Sequence, residues 1–124
     1  MLATSDVIAF AGCADMDRAR AFYEGTLGLR LVEQNDFACV FDANGTMLRV
    51  TAVPAPARAG YTVLGWRVDD IAATIAALAA RGVEFQRFEG MEQDESGVWT
   101  TPGGDQVAWF LDPDANTLSL TEFR

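Results

Sequence analysis

The strongest constraint on the fold is that this chain of 124 residues repeats one order of elements. Residues 7–53 and residues 61–124 each begin with an apolar, β-branched run, continue into an amphipathic stretch, and end in two runs joined by a turn. A chain of this length is expected to form one ordinary domain. The repeat therefore predicts a single α+β domain, residues 1–124, built from two βαβββ modules.

The first module, about residues 6–53, carries signals for one helix and four strands. Asp15 is expected to cap the N-terminus of the helix, and Gly28 is expected to end it. Asn44-Gly45 predicts a tight hairpin turn. The strands are expected at residues 7–11, 29–33, 37–41 and 46–53. A proline-containing linker, residues 54–60, separates this module from the second, about residues 61–124.

The second module repeats these signals with one longer segment. Asp69 or Asp70 is expected to cap a helix that continues past Leu78 and is closed by Gly82. Residues 83–88 are expected to be extended, and residues 106–111 and 117–122 are expected to form the last hairpin. Residues 89–104 form a long acidic segment that contains Trp99. Long loops in compact domains are often functional, so this segment is either a lid or rim over a site or a solvated excursion.

Composition excludes several classes of function. The formal net charge of −9 argues against binding to nucleic acid or to anionic membranes, which require clustered positive charge. The charge either attracts cationic small molecules or simply maintains solubility. No apolar run is long enough to cross a bilayer, and the N-terminus does not resemble an export signal, so we expect a cytoplasmic protein. Cys13 and Cys39 are expected to be small buried hydrophobic residues rather than a disulfide.

Five motifs in order resemble the vicinal oxygen chelate superfamily, which includes glyoxalases, bleomycin resistance proteins and extradiol dioxygenases. They are Asp15 with Ala21-Phe22-Tyr23, Leu27-Gly28-Leu29, Val68-Asp69-Asp70, Ala80-Arg81-Gly82-Val83, and the stretch 110–120. The resemblance covers almost the whole chain. It implies two βαβββ modules that form an open half-barrel sheet, with the helices outside and a ligand cavity inside. It also implies a homodimer.

The resemblance further implies where a divalent metal would be bound, and this chain lacks suitable ligands there. The four implied positions are Ile8, Arg49, Val63 and Ser119. Two of these side chains are hydrocarbon, one is a cation, and a lone hydroxyl is a poor ligand. The chain has no histidine from which the usual ligand set could be rebuilt. We therefore expect no metal and no other cofactor.

Hairpin geometry predicts which residues surround the cavity. Directly opposed residues of an antiparallel pair share a face. If the Asn44-Gly45 turn pairs Phe41 with Met47, then Cys39 lies opposite Arg49 and Phe37 lies opposite Thr51. An arginine on such a face is costly unless it is paired, so Arg49 requires either a nearby acid or carbonyl group or a bound anion.

The same counting in the second hairpin places Trp109 opposite Ser119. Alternation along the first strand of each module adds Phe10 and Arg67 to these faces, whereas Trp66 should face a helix. The predicted ligand-binding residues are Phe10, Phe37, Cys39, Met47, Arg49, Arg67, Trp99, Trp109 and Ser119. The alternative for the apolar and aromatic residues of this set is that they pack in the hydrophobic core.

These observations favour a metal-free protein that binds a small organic molecule. It would resemble the bleomycin resistance branch, which sequesters drugs without a chemical reaction. An alternative is a lyase, isomerase or dioxygenase-like enzyme that acts on a small carboxylate held by Arg49. A third hypothesis is a regulatory module whose cavity is filled by its own side chains. No catalytic residue is identified, because no histidine activates a cysteine or serine and no paired carboxylates face the cavity.

Overall fold

The computed structural model describes all 124 residues, and they form two compact units, residues 1–57 and 58–124. Each unit contains one four-stranded mixed sheet with a helical segment. The predicted α+β class and the two modules are confirmed. That the modules form a single domain stays a prediction. No helix is long and apolar enough to span a membrane.

The first unit has strand order β1-β4-β3-β2, with β1 parallel to β4 and the other neighbours antiparallel. Its elements are β1 (Ile8–Cys13), α1 (Met16–Arg20) continuing as a π-helical turn (Ala21–Thr26), β2 (Arg30–Gln34), β3 (Ala38–Ala43) and β4 (Thr46–Ala52). The parallel β1–β4 pair is possible because the helix and the β2–β3 pair lie between these two strands in sequence.

The helical segment begins and ends where the sequence predicts. One carboxylate oxygen of Asp15 accepts hydrogen bonds from the backbone N–H groups of Asp17 and Arg18, at 3.0 and 3.2 Å. Gly28, with φ of +76°, lies just beyond the helix. Tyr23 is fully buried, and its ring lies 5.8 Å from that of Phe41. The helix therefore covers the sheet face that carries Phe41.

The register of the β3–β4 hairpin differs from the predicted one by one residue. Asn44 and Gly45 have φ of +51° and +95°, as a two-residue hairpin loop of type I′ requires. Ala43 and Thr46 consequently pair at the end of the strands, and the register continues to Val40 opposite Arg49. The predicted pairing of Phe41 with Met47 is wrong because it does not leave a two-residue loop.

One residue of slip moves side chains to the other face of a strand. Cys39 lies opposite Val50 and Phe41 lies opposite Leu48, and all four side chains are buried. They lie on the helix-covered face, and the predicted location of Cys39 on the Arg49 face is therefore wrong. Phe37 is also not opposite Thr51, because Thr51 pairs with Ala38.

The second unit has the equivalent strand order, β5-β8-β7-β6. Its elements are β5 (Leu64–Arg67), α2 (Ile71–Ala79), β6 (Trp99–Thr100), β7 (Gln106–Leu111) and β8 (Thr117–Glu122). The predicted pairing of Trp109 with Ser119 is confirmed. The turn before β8 is held by Asp112, whose Oδ1 accepts hydrogen bonds from the N–H groups of Asp114 and Asn116, both at 2.9 Å.

The edge of the second sheet differs from the prediction. Residues 83–88 do not form a strand; they contribute a single bridge, Phe85 to Phe110. The rest of the edge is the short β6, inside the segment that was predicted to be a loop. The Gln93 side chain holds the intervening segment together, because its Nε2 donates to the carbonyl oxygens of Gln86 and Gly97 and its Oε1 accepts from the N–H of Phe88. A lid function for this segment stays a prediction.

Helix α2 has two carboxylates at its N-terminus, one local and one from a distant strand. Asp70 accepts a hydrogen bond from the N–H of Ala73 at 3.0 Å. Glu122, at the end of β8, accepts one from the N–H of Ile71 at 2.9 Å. Glu122 therefore points to the helix-covered side of its sheet, opposite to the Ser119 face, as strand alternation predicts.

Replacement of Glu122 is expected to destabilise the second unit. Glu122→Ala should lower the free energy of unfolding by about 1–2 kcal/mol, since it leaves the Ile71 N–H without its acceptor. Glu122→Gln keeps an acceptor oxygen and should cost less than half as much. Urea denaturation compares both with Glu92→Ala, an exposed control that loses the same charge. Equal stability of Glu122→Ala and this control would contradict the capping role.

Candidate functional site

Each sheet has a second face, opposite to its helix, which carries most of the predicted site residues. In the first unit β1 and β4 place Ile8 beside Met47 and Phe10 beside Arg49. Partners in adjacent strands share a face, so Phe10, Met47 and Arg49 lie together. We call this surface, formed by β1 to β4 on the side away from α1, the Arg49 face.

Arg49 lies in the middle of this face, between Phe10 of β1 and Val40 of β3. Its side chain is partly buried and makes no hydrogen bond or ion pair with the protein. The guanidinium group carries five N–H donors in a planar fork that matches a carboxylate or phosphate. Arg49 is therefore an available anion-binding group beside two apolar neighbours.

Other charged groups on the Arg49 face already have partners. Glu33 of β2, which pairs with Val40, accepts a hydrogen bond from Asn35 at 3.4 Å. Asp42, which pairs with Met47, accepts hydrogen bonds from Arg30 at 3.3 Å and from the N–H of Gly45 at 2.9 Å. This contact directs the nearest acidic side chain of β3 toward the hairpin end of the sheet. Arg49 consequently has neither an acid to neutralise it nor a base with which to share a proton.

A cavity of about 390 Å³ lies at the hairpin end of the first sheet. Its polar groups are Asp6, Arg30 and Asp42, and the rest of its lining is Val7, Ile8, Val32, Val40, Phe41, Gly45 and Met47. This volume is at the lower end of the range for small-molecule sites. Since Val40 and Met47 are also neighbours of Arg49, the cavity opens on the same face.

Cys39 and Phe37 are not part of this face. The Cys39 thiol is buried against the helix, with Sγ 3.4 Å from the carbonyl oxygen of Met16. Burial raises the pKa of the Cys39 thiol above its ordinary value, and the nearby Arg20 opposes this shift only in part. A thiol in such surroundings is inert. Phe37 is 74% exposed and precedes β3.

The second sheet gathers aromatic side chains on the face that carries Ser119. The ring of Trp109 lies 6.2 Å from that of Trp99 and 5.4 Å from that of Phe88, which it meets edge to face. The indole N–H of Trp109 donates to Oγ1 of Thr62 at 3.2 Å. These rings could stack against a planar group. Sequence reasoning missed Phe88, because residue 88 lies outside any strand and alternation does not extend to it.

Three further positions of the second unit agree with strand alternation. Arg67 shares the Ser119 face through its pairing with Thr121, and its guanidinium lies 5.3 Å from the centre of the Phe123 ring. Arg67 is exposed at the strand end. Trp66 lies on the helix side, stacked 6.4 Å from Phe110. Gly65, opposite Ser119, leaves room for the hydroxyl, since a Cβ there would lie 3.0 Å from it.

Residues 6–120 match the family described as the Glyoxalase/Bleomycin resistance protein/Dioxygenase superfamily. The chain belongs to this superfamily. The match spans both modules and all the strands of both sheets except the last residues of β8. The resemblance that was inferred from the sequence motifs is confirmed.

Solved structures of the superfamily share the fold at low sequence identity. A lactoylglutathione lyase from Agrobacterium tumefaciens is 18% identical, with a TM-score of 0.72, over 95% of this chain and 93% of that one. A bleomycin resistance determinant encoded on the transposon Tn5 is 23% identical, with a TM-score of 0.73, over 96% and 98%. A superfamily member from Sphaerobacter thermophilus is 24% identical, with a TM-score of 0.70, over 94% and 97%. No protein of curated function matches the sequence.

The residues present do not fit the divalent metal that many members of this superfamily use. Ile8 and Arg49 lie on the face of the first sheet away from its helix, and Val63 and Ser119 lie on the corresponding face of the second. No group of three or more cysteine, aspartate or glutamate side chains could hold a metal ion anywhere in the chain. Hydrocarbon and guanidinium groups cannot ligate a cation, so these positions do not support a metal-assisted step.

The buried position of Cys39 predicts a measurable pH dependence of stability. The pKa of this thiol is raised in the folded state, so above about pH 8.5 the unfolded chain loses a proton that the folded chain retains. The free energy of unfolding should therefore fall as the pH rises through this range, and should not change below it on account of Cys39. In Cys39→Ala the fall should be shallower, as measured by urea denaturation from pH 7 to 10. Identical slopes for the two proteins would show that the thiol is not buried.

Proposed function

We propose that this protein binds a small organic molecule without a metal ion and uses Arg49 as its anchor. The observation that carries the proposal is a partly buried arginine with no protein partner, at a position where metal-dependent members would carry a carboxylate ligand. An uncompensated cation on a partly dehydrated surface is costly, and a bound anion would offset that cost.

The surroundings of Arg49 support binding rather than catalysis. Phe10 and Met47, which are 59% and 42% exposed, provide apolar contact surface, and no acid or base lies within hydrogen-bond distance of the guanidinium. General acid–base catalysis requires such a group near the reacting atoms. The Tn5 bleomycin resistance determinant has the same fold, which is compatible with sequestration of a ligand.

The alternative is a lyase, isomerase or dioxygenase-like enzyme, and the same arginine is the observation that favours it. A guanidinium that orients a small carboxylate could also stabilise charge that develops during a reaction. The similarity in fold to a lactoylglutathione lyase is compatible with this alternative. We propose in addition that the protein is a cytoplasmic homodimer that binds neither nucleic acid nor membranes, in keeping with its net charge of −9.

A thermal-shift titration tests the binding proposal. A ligand that binds only the folded protein adds about 2.7 kcal/mol of stability at a concentration 100 times its Kd, so a carboxylate ligand should raise the melting temperature. Zn²⁺, Ni²⁺, Mn²⁺ and Fe²⁺ should not raise it. In Arg49→Gln the shift by the carboxylate should disappear. Arg58→Gln, which removes the same charge from an exposed position in the linker, should keep it.

Two results would contradict the proposal. Stabilisation by one of these divalent ions would restore a metal-dependent function. If the ligand raised the melting temperature equally in Arg49→Gln and Arg58→Gln, Arg49 would not be the anchor. If NMR spectra show that the protein converts the stabilising carboxylate to another compound, the enzyme alternative is favoured.

A further inference from the structure

The cavity beside Arg49 points to a specific class of ligand. We infer that the ligand is an amphipathic monoanion, namely an organic acid with one carboxylate and an apolar body. The carboxylate binds Arg49, and the apolar body occupies the cavity at the hairpin end of the first sheet. This inference rests on the proposed function and adds the shape and charge of the molecule that is bound.

Arg49 and the cavity lie close together along the strands. Met47 precedes Arg49 by two residues on β4, and Ile8 precedes Phe10 by two residues on β1. Residues two apart on a strand lie on the same face at about 6.5–7 Å. A carboxylate at Arg49 therefore directs the body of the ligand along the strands, over Met47 and Ile8.

Apolar side chains are exposed along that path. Ile8 is 47% exposed, Met47 is 42% exposed and Val32 is 53% exposed, although all three line the cavity. Val32 reaches this position because the pairing of β2 with β3 is irregular between Leu31 and Glu33, which leaves residue 32 without a partner. A hydrocarbon chain that covered these side chains would remove apolar surface from water on both partners.

Charged side chains line the far end of the cavity. Arg30 and Asp42 form an ion pair there and largely neutralise each other. Asp6 adds a further negative charge to the cavity lining. A second carboxylate at the distal end of the ligand would meet this acidic edge, so the site should favour a monocarboxylate over a dicarboxylate of equal length.

Isothermal titration with a matched series of acids tests this inference on the full chain. Affinity should rise from butanoate to hexanoate to octanoate, by about three- to fourfold for each buried methylene. Hexanedioate should bind at least tenfold more weakly than hexanoate. Hexan-1-ol, which lacks the charge, should also bind at least tenfold more weakly.

Single variants assign each part of the ligand to its contact. Arg49→Gln should lower the affinity for hexanoate about ten- to a hundredfold, as expected for loss of a charge-assisted contact. Val32→Asp, at an exposed position that tolerates a polar residue, should reduce the gain in affinity from butanoate to octanoate. Asp6→Asn should narrow the difference in affinity between hexanoate and hexanedioate. Asp36→Asn, an exposed control with the same change in charge, should leave this difference unchanged.

The outcomes separate this inference from the proposed function. Affinity that depends on Arg49 but not on chain length would overturn the inference and leave the proposed anchor in place. Hexanedioate that bound as tightly as hexanoate would also overturn it. If no carboxylate of the series bound and Arg49→Gln changed no ligand shift, the proposed function itself would be wrong.

Discussion

The two-residue loop at Asn44-Gly45 determines which side chains surround Arg49. Both residues adopt positive φ, which closes the hairpin with the Ala43–Thr46 pair and sets every pair that follows. Val40 consequently lies beside Arg49, and Cys39 is turned to the helix. A slip of one residue in this pairing would place Cys39 on the Arg49 face, since such a slip exchanges the two faces of a strand.

Arg49 gives the first sheet its chemical character. A metal-binding site gathers negatively charged or neutral donors, whereas a guanidinium repels a cation and attracts an anion. The Arg30–Asp42 contact holds the nearest acid at the hairpin end, so the protein does not neutralise Arg49 internally. The same fold that positions metal ligands in other members here places a positive charge next to an apolar cavity.

The two modules have the same strand order but differ at the edge strand. In the first unit β2 is five residues long, whereas in the second β6 has two residues and is accompanied by isolated bridges at Phe85 and Gln93. The side chain of Gln93 holds together the segment between Phe85 and β6. Phe88, in this segment, contacts Trp109. The second sheet thus offers aromatic surface where the first offers a cation.

The sequence by itself determined the features that depend on neighbouring residues. Asp15, Gly28 and the hairpin turn act within a few positions of the chain, so the repeated module order and the superfamily could be predicted from them. Face assignment by alternation succeeded within single strands, as at Phe10, Trp66 and Trp109.

Only the tertiary structure decided the features that join distant segments. The register of the β3–β4 hairpin is not among them, since the Asn44-Gly45 loop sets it locally. These features are the capping of α2 by Glu122, the contact of Phe88 with Trp109, and the lack of a partner for Arg49. Each depends on which residues the folded backbone brings within a few ångströms of each other. That proximity is set by strand pairing and packing across the module, and no local pattern of residues encodes it.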